Sequence, residues 1–199
     1  MGTPTGVALR GLLEDGTLAG EWVLDSRRSS IQLSSKSLGV IPVKGVFRDV
    51  SGHGTVSPDG SVSGTLLLKS ASIDTGNPKR DAHLRSGEIF DSGNHPQITF
   101  TVNGIRPAGT GVAVTGALTV RGRTRPLSFD TTASVSDSGE ICLDAETRVN
   151  RTGFDVTWKG SSLISKISVM RIHAVFVRTV LADAASLVPG TTKRSKMAP

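Results

Sequence analysis

Tyrosine is absent from this 199-residue chain, cysteine occurs once, and aromatic residues make up only 4% of it. The single cysteine, Cys142, excludes an internal disulfide, and no Cys or His stands near it at zinc-ligand spacing. The four histidines, His53, His83, His95 and His173, contain no pair two, three or four residues apart, so no metal site is expected. A nucleophile elbow, a phosphate loop and a dinucleotide fingerprint are all missing, which argues against an enzyme. No apolar run approaches the roughly 20 residues of a membrane helix. The apolar stretch before Arg10 is too short for the core of a signal peptide, so a cytoplasmic protein is expected.

What the chain does contain is enough for one core. At 20.8 kDa a folded chain buries about 70% of the surface it exposes when unfolded, and a single domain follows. Apolar and polar residues alternate in short segments punctuated by Gly, Pro, Asn and Asp, the signature of antiparallel strands. The segments are Trp22 to Leu33, Val43 to Val56, Val62 to Ile73, Ile98 to Ile105, Val112 to Val120, Leu127 to Val135, Ile141 to Val149 and Ile167 to Leu181. Turn residues at Pro58-Asp59-Gly60, Arg121-Gly122-Arg123 and Asp137-Ser138-Gly139 join them as successive hairpins. Closing eight such strands into a barrel removes both exposed edges. The expected fold is therefore all-β: an eight-stranded, antiparallel, up-and-down barrel with one or two short helices.

Two stretches break the pattern. Residues Asn77 to Gly87 begin with Pro78 and end with glycine, the asymmetry of a short helix. Arg151 to Ser165 is irregular. Residues 1–19 and 183–199 read as an N-terminal extension and a basic tail, leaving 20–182 as the barrel.

The inward parity includes small residues, among them Gly64, Ser70, Gly104, Gly116, Ala145 and Ala174. Barrels of this size are either just filled by side chains or hold one small ligand, and interior glycines also mark bends. The pattern alone leaves a cavity and a packed core equally open. A cavity here would be walled by aliphatic residues with few polar groups, which suits a long apolar ligand and not a sugar or nucleotide.

Several segments together resemble the YceI-like family of polyisoprenoid-binding, lipocalin-like barrels. They are Gly20-Glu21-Trp22-Val23-Leu24-Asp25, Val43-Lys44-Gly45-Val46-Phe47, and Ala71-Ser72-Ile73-Asp74-Thr75 running into Arg80-Asp81-Ala82-His83-Leu84-Arg85-Ser86. Others are Ile89-Phe90-Asp91, His95-Pro96-Gln97-Ile98-Thr99-Phe100, Val114 to Pro126, and Asn150-Arg151-Thr152-Gly153-Phe154. The resemblance implies a barrel whose apolar channel holds a polyisoprenoid, an isoprenoid quinone or a similar amphiphilic lipid without catalysis, for storage or transport. Family members commonly carry His-Ser where Arg28-Ser29 stands and a further His near Lys36.

Channel residues are expected at Phe47, Leu66, Leu68, Phe90, Phe100, Val102, Val114, Leu118, Phe129, Phe154, Trp158, Met170, Ile172 and Phe176, with Arg80 and His83 at the mouth near a head group. No cofactor is expected beyond the lipid itself. Enlarging Gly116 or Ala174 is expected to block the channel and leave the fold intact. The alternative is a basic adaptor. The net charge is +6, and Arg121, Arg123 and Arg125 share one strand parity and would line up outward on a regular hairpin. Such a row could meet an anionic membrane surface, but it lacks the interleaved aromatics of a nucleic-acid binder. Pairing of two barrels as a homodimer stays open.

Overall fold

A computed structural model describes residues 11–37, 41–108, 111–157 and 164–179. Its eleven strands are β1 (Gly20–Leu24), β2 (Ser30–Ser37), β3 (Ile41–Phe47), β4 (Val50–Val56), β5 (Val62–Lys69), β6 (Ile73–Asp74), β7 (Gln97–Ala108), β8 (Gly111–Val120), β9 (Arg123–Val135), β10 (Ile141–Asn150) and β11 (Ile164–Arg178). They form one antiparallel sheet, and pairing of β1 with β11 closes it.

Three of the eight expected strands are broken in the middle. β1 and β2 lie end to end along β11, β3 and β4 along that pair, and β5 and β6 along the next. Two of these breaks have a plain local cause. Asp25 turns the chain after β1 by accepting hydrogen bonds from the Arg27 and Arg28 amides at 2.9 and 3.3 Å. A 3-10 turn at Ser70–Ser72 separates β5 from β6. The result is the expected eight-stranded up-and-down barrel, with bends that let the sheet curve around its core.

One helix, α1 (Pro78–Arg85), lies between β6 and β7 as its proline and glycine foretell, and the Asn77 side chain caps it by accepting from the Arg80 amide at 3.1 Å. At the hairpin between β8 and β9, Arg121 and Gly122 both take positive φ, +54° and +70°, the geometry of a two-residue turn that matches strand twist.

Two expectations change. Residues 11–19 are no loose extension: Leu13 and Leu18 are buried, the Trp22 indole donates to the Leu18 carbonyl at 3.0 Å, and Arg178 lies over the Trp22 ring. This segment closes one end of the barrel. The parity of β7 also shifts, because a bulge at Asn103 moves the register from Val102 opposite Gly116 to Gly104 opposite Thr115. Gly104 consequently leaves the inward face, and Ile105, opposite Val114, takes its place. The basic tail lies outside the described residues.

Candidate functional site

The barrel interior divides into a packed half and a hollow half. In the packed half, below the N-terminal segment, Trp22, Leu24, Phe100, Val112, Val114, Ala133 and Ala174 belong to one buried cluster, with Leu66, Val102, Phe129, Ile172 and Phe176 against it. Phe100 and Phe129 pack with their rings tilted, 5.6 Å between centroids. The other half encloses a cavity of about 320 Å³.

The cavity is built by the strand ends nearest α1. Leu33, Ser35 and Ser37 of β2 alternate onto it, as do Val43, Gly45 and Phe47 of β3. Leu68 of β5, Ile73 of β6, Ile98 of β7, Leu118 and Val120 of β8, Val149 of β10, and Ser168 and Met170 of β11 complete the wall. Its cover consists of Leu84 from α1, the following Ile89 and Phe90, and the 3-10 turn Arg151–Phe154 with Val156. That turn sits where the sheet parts: β9 and β10 pair only between Thr131–Val135 and Ile141–Ala145. Phe47 and Phe90 meet edge to face across the cover at 6.1 Å.

Polar groups are few and mostly satisfied. The Ser35 and Ser168 hydroxyls bond to each other at 2.7 Å. Thr75 donates its amide and hydroxyl to the buried Asp81 carboxylate at 2.9 and 2.5 Å. Arg80 in turn donates through Nε to the Thr75 hydroxyl at 2.8 Å and through Nη2 to its carbonyl at 2.9 Å. Arg80 has no ion-pair partner among the described residues. Arg151 fans its guanidinium onto the carbonyls of Ser165, Val156 and Ile164 at 2.9, 2.6 and 3.0 Å. Burial pushes its pKa below the ordinary arginine value, and it still carries its charge at any physiological pH. It staples the turn to β11.

The expected channel residues therefore separate into two groups. Phe47, Leu68, Phe90, Leu118, Phe154 and Met170 line the cavity together with Arg80. Leu66, Phe100, Val102, Val114, Phe129, Ile172 and Phe176 fall outside that lining, in the packed half. Trp158 lies outside the described residues. His83 is on α1 but not in the lining; its Nδ1 stands 3.7 Å from Glu88. Ala174 and Gly116 both belong to the packed half, so enlarging them would strain the core and not merely plug a channel. Arg28 and Lys36 are absent from the lining as well, Arg28 being held by Asp25 and Glu140.

The outward arginine row also dissolves. Arg123 and Arg125 pair across the hairpin with Val120 and Leu118, so they share the lumen face and reach the gap between β9 and β10. Arg123 forms an ion pair with Asp155, and Arg121 donates to the Gly87 and Asp155 carbonyls at 2.8 and 3.0 Å. Among the described residues no three His, Cys, Asp or Glu side chains group to hold a metal, and no helix is long and apolar enough to cross a membrane.

Sequence reasoning missed Ser35, Ser168 and Arg151 as cavity residues. The serines sit on the inward parity of β2 and β11, where a search for apolar residues passes over them. Arg151 lay in a segment that already resembled the family.

A closed, eight-stranded meander with an oily pocket at one end is a lipocalin-like barrel. Within that class the chain belongs to the YceI-like family, whose domain profile matches residues 22–176. A UPF0312 protein of Vibrio parahaemolyticus is 30% identical over 172 residues, covering 79% of this chain and 89% of that protein. Protein YceI of Escherichia coli is 27% identical over 108 residues, 53% of this chain and 56% of its own length. Among solved structures, BcnA of Burkholderia cenocepacia superposes with a TM-score of 0.70 at 26% identity, over 76% of this chain and 98% of BcnA. A polyisoprenoid binding domain from Saccharophagus degradans superposes with a TM-score of 0.66 at 15% identity, over 79% of this chain and 98% of that domain, and shares the fold.

Proposed function

We propose that this barrel is a non-catalytic lipid-binding protein that takes the apolar end of an isoprenoid, an isoprenoid quinone or a similar amphiphile into its cavity, for storage or transport. The observation that carries this is the cavity itself: about 320 Å³, at the lower end of the size range of small-molecule sites and walled chiefly by aliphatic and aromatic side chains. Burying each methylene there gains about 0.8 kcal/mol before the costs of association. Arg80, which lines the cavity, and His83 on the same helix are the candidates for a head-group contact. The description of the Saccharophagus degradans domain as polyisoprenoid-binding supports the ligand class.

Mass spectrometry of an organic extract of the purified protein identifies the guest. Leu33→Trp then tests the site, because its indole would project into the void from a half-buried wall position. The expected result is loss of bound lipid with little change in unfolding temperature. Full lipid occupancy in this variant would remove the cavity as the site.

A further inference from the structure

We propose that the outer wall beside the cavity, where the ends of β2, β3, β10 and β11 meet, docks on an anionic membrane surface, so that the cavity is loaded or emptied at the bilayer. The docking is read from the surface itself; its use for the cavity's guest rests on the function proposed above.

The patch follows from the strand register. Ser35, Ser37, Val43, Val149 and Ser168 face the cavity, so their neighbours in each strand point outward. Lys44, Ser34, Val169 and Arg148 stand opposite one another in a single row across β3, β2, β11 and β10. Lys36, opposite Pro42, is the diagonal neighbour of Lys44 on the same face. Lys166, in the bulge of β11, is exposed, as are Lys36, Lys44 and Arg148. Four cations are thus gathered at this corner, and among the described residues none has an ion-pair partner. No Asp or Glu occurs in β2, β3 or β11. The next outward carboxylate on β10, Glu146, is taken by Arg171 at 2.8 Å.

Apolar side chains stand among these cations. Of the three large hydrophobic residues exposed among the described residues, two are here: Ile167, beside Lys166, at 42% and Ile41 at 52%. Ile41 pairs with Ser37 and shares the inward parity of Val43, yet more than half of it meets solvent. The cavity wall therefore reaches the surface at this edge. Cations around apolar side chains match acidic head groups over hydrocarbon. A nucleic acid would want aromatic stacking partners, and the residues named here include none. A second copy of the chain would bring like charges together.

Vesicle co-sedimentation of the purified full chain tests this, with phosphatidylcholine vesicles and with mixed phosphatidylcholine and phosphatidylglycerol vesicles. Binding is expected to the mixed vesicles and not to the neutral ones, and it should weaken as salt is raised. Each cation at the surface is worth about fivefold in affinity, so Lys36→Gln with Lys44→Gln should weaken binding about 25-fold. The same charge removed elsewhere, by Arg27→Gln with Arg106→Gln, should change it little. Ile41→Ser should lower the affinity and leave its salt dependence unaltered. All five positions are exposed, so the variants are expected to fold, which thermal unfolding checks. Equal binding to both vesicles, binding to neither, displacement by a single-stranded oligonucleotide, or equal losses in the two double variants overturns the docking surface and leaves lipid binding standing. So does a dimer in solution that Lys36→Gln with Lys44→Gln dissociates. An organic extract free of any guest overturns the lipid-binding function and leaves the docking surface standing.

Discussion

Gly116 and Phe100 occupy one space: the backbone of the first, lacking a side chain, receives the ring of the second. A small inward residue in a barrel strand is therefore no sign of a void at its own position, because a large neighbour on the adjacent strand can lie over it. Gly116→Ala is expected to destabilise the fold by about 1–3 kcal/mol, since the added methyl meets both the ring and the Thr101 carbonyl. Urea denaturation measures it. In a Phe100→Ala background the part of the cost due to the ring should disappear, leaving a non-additive double-mutant cycle. Strict additivity would show that the two residues do not share this space.

That relationship explains what could be read from the chain and what could not. Alternation along β8 and β10 placed the inward faces, and the Pro78 to Gly87 asymmetry placed α1. These are local signals, carried by side-chain period and capping. Three features depended on contacts between segments distant in sequence. The bulge at Asn103 reversed the parity of Gly104, the register of β9 on β8 set Arg123 and Arg125 beside Val120 and Leu118 on the lumen side, and the Phe100 ring fills the space that Gly116 leaves. Leu13 and Leu18 were missed for the same reason, since a short segment without strand period gives no sign that it will cap a barrel.

Arg121 ties the cover of the cavity to the barrel. Its guanidinium reaches the carbonyls of Gly87 at 2.8 Å and Ile89 at 3.3 Å, just before Phe90, as well as that of Asp155 at 3.0 Å. Arg121→Ala is expected to cost about 1–3 kcal/mol by leaving carbonyls without their donor. Arg121→Lys should recover little of it, because a single ammonium cannot reproduce the fork. Both variants keep a Cβ, so the positive φ of +54° at this position weighs on them as on the wild type. Hydrogen exchange of the 86–91 amides should accelerate in both, and bound lipid should dissociate faster. Exchange unchanged in Arg121→Ala would show that the cover is held by its apolar contacts alone.

Stability should fall on acidification, in part through Arg28. This residue donates through Nε to Asp25 at 2.7 Å and through both Nη atoms to Glu140 at 2.9 and 2.7 Å, joining the turn after β1 to the start of β10. Hydrogen bonding to Arg28 is the main cause that holds both carboxyls below their ordinary values of 3.8 and 4.5. A carboxyl with a depressed pKa in the folded state takes up its proton later than the same group in the unfolded chain. As pH falls, the unfolded chain binds protons first, so the stabilisation is fully present above the ordinary values and drains away below them. Urea midpoints measured from pH 7 to pH 3 should stay level until about pH 4.5, the ordinary glutamate value, and then decline. Arg28→Gln should lower the midpoint at pH 7 and make the decline shallower. Some slope will persist, because the Arg27 amide still lowers Asp25, and Asp74, held down chiefly by the Gly76 amide, is untouched. An equal decline in wild type and variant would show that Arg28 adds nothing to the folded state beyond what solvent already supplies to these carboxylates.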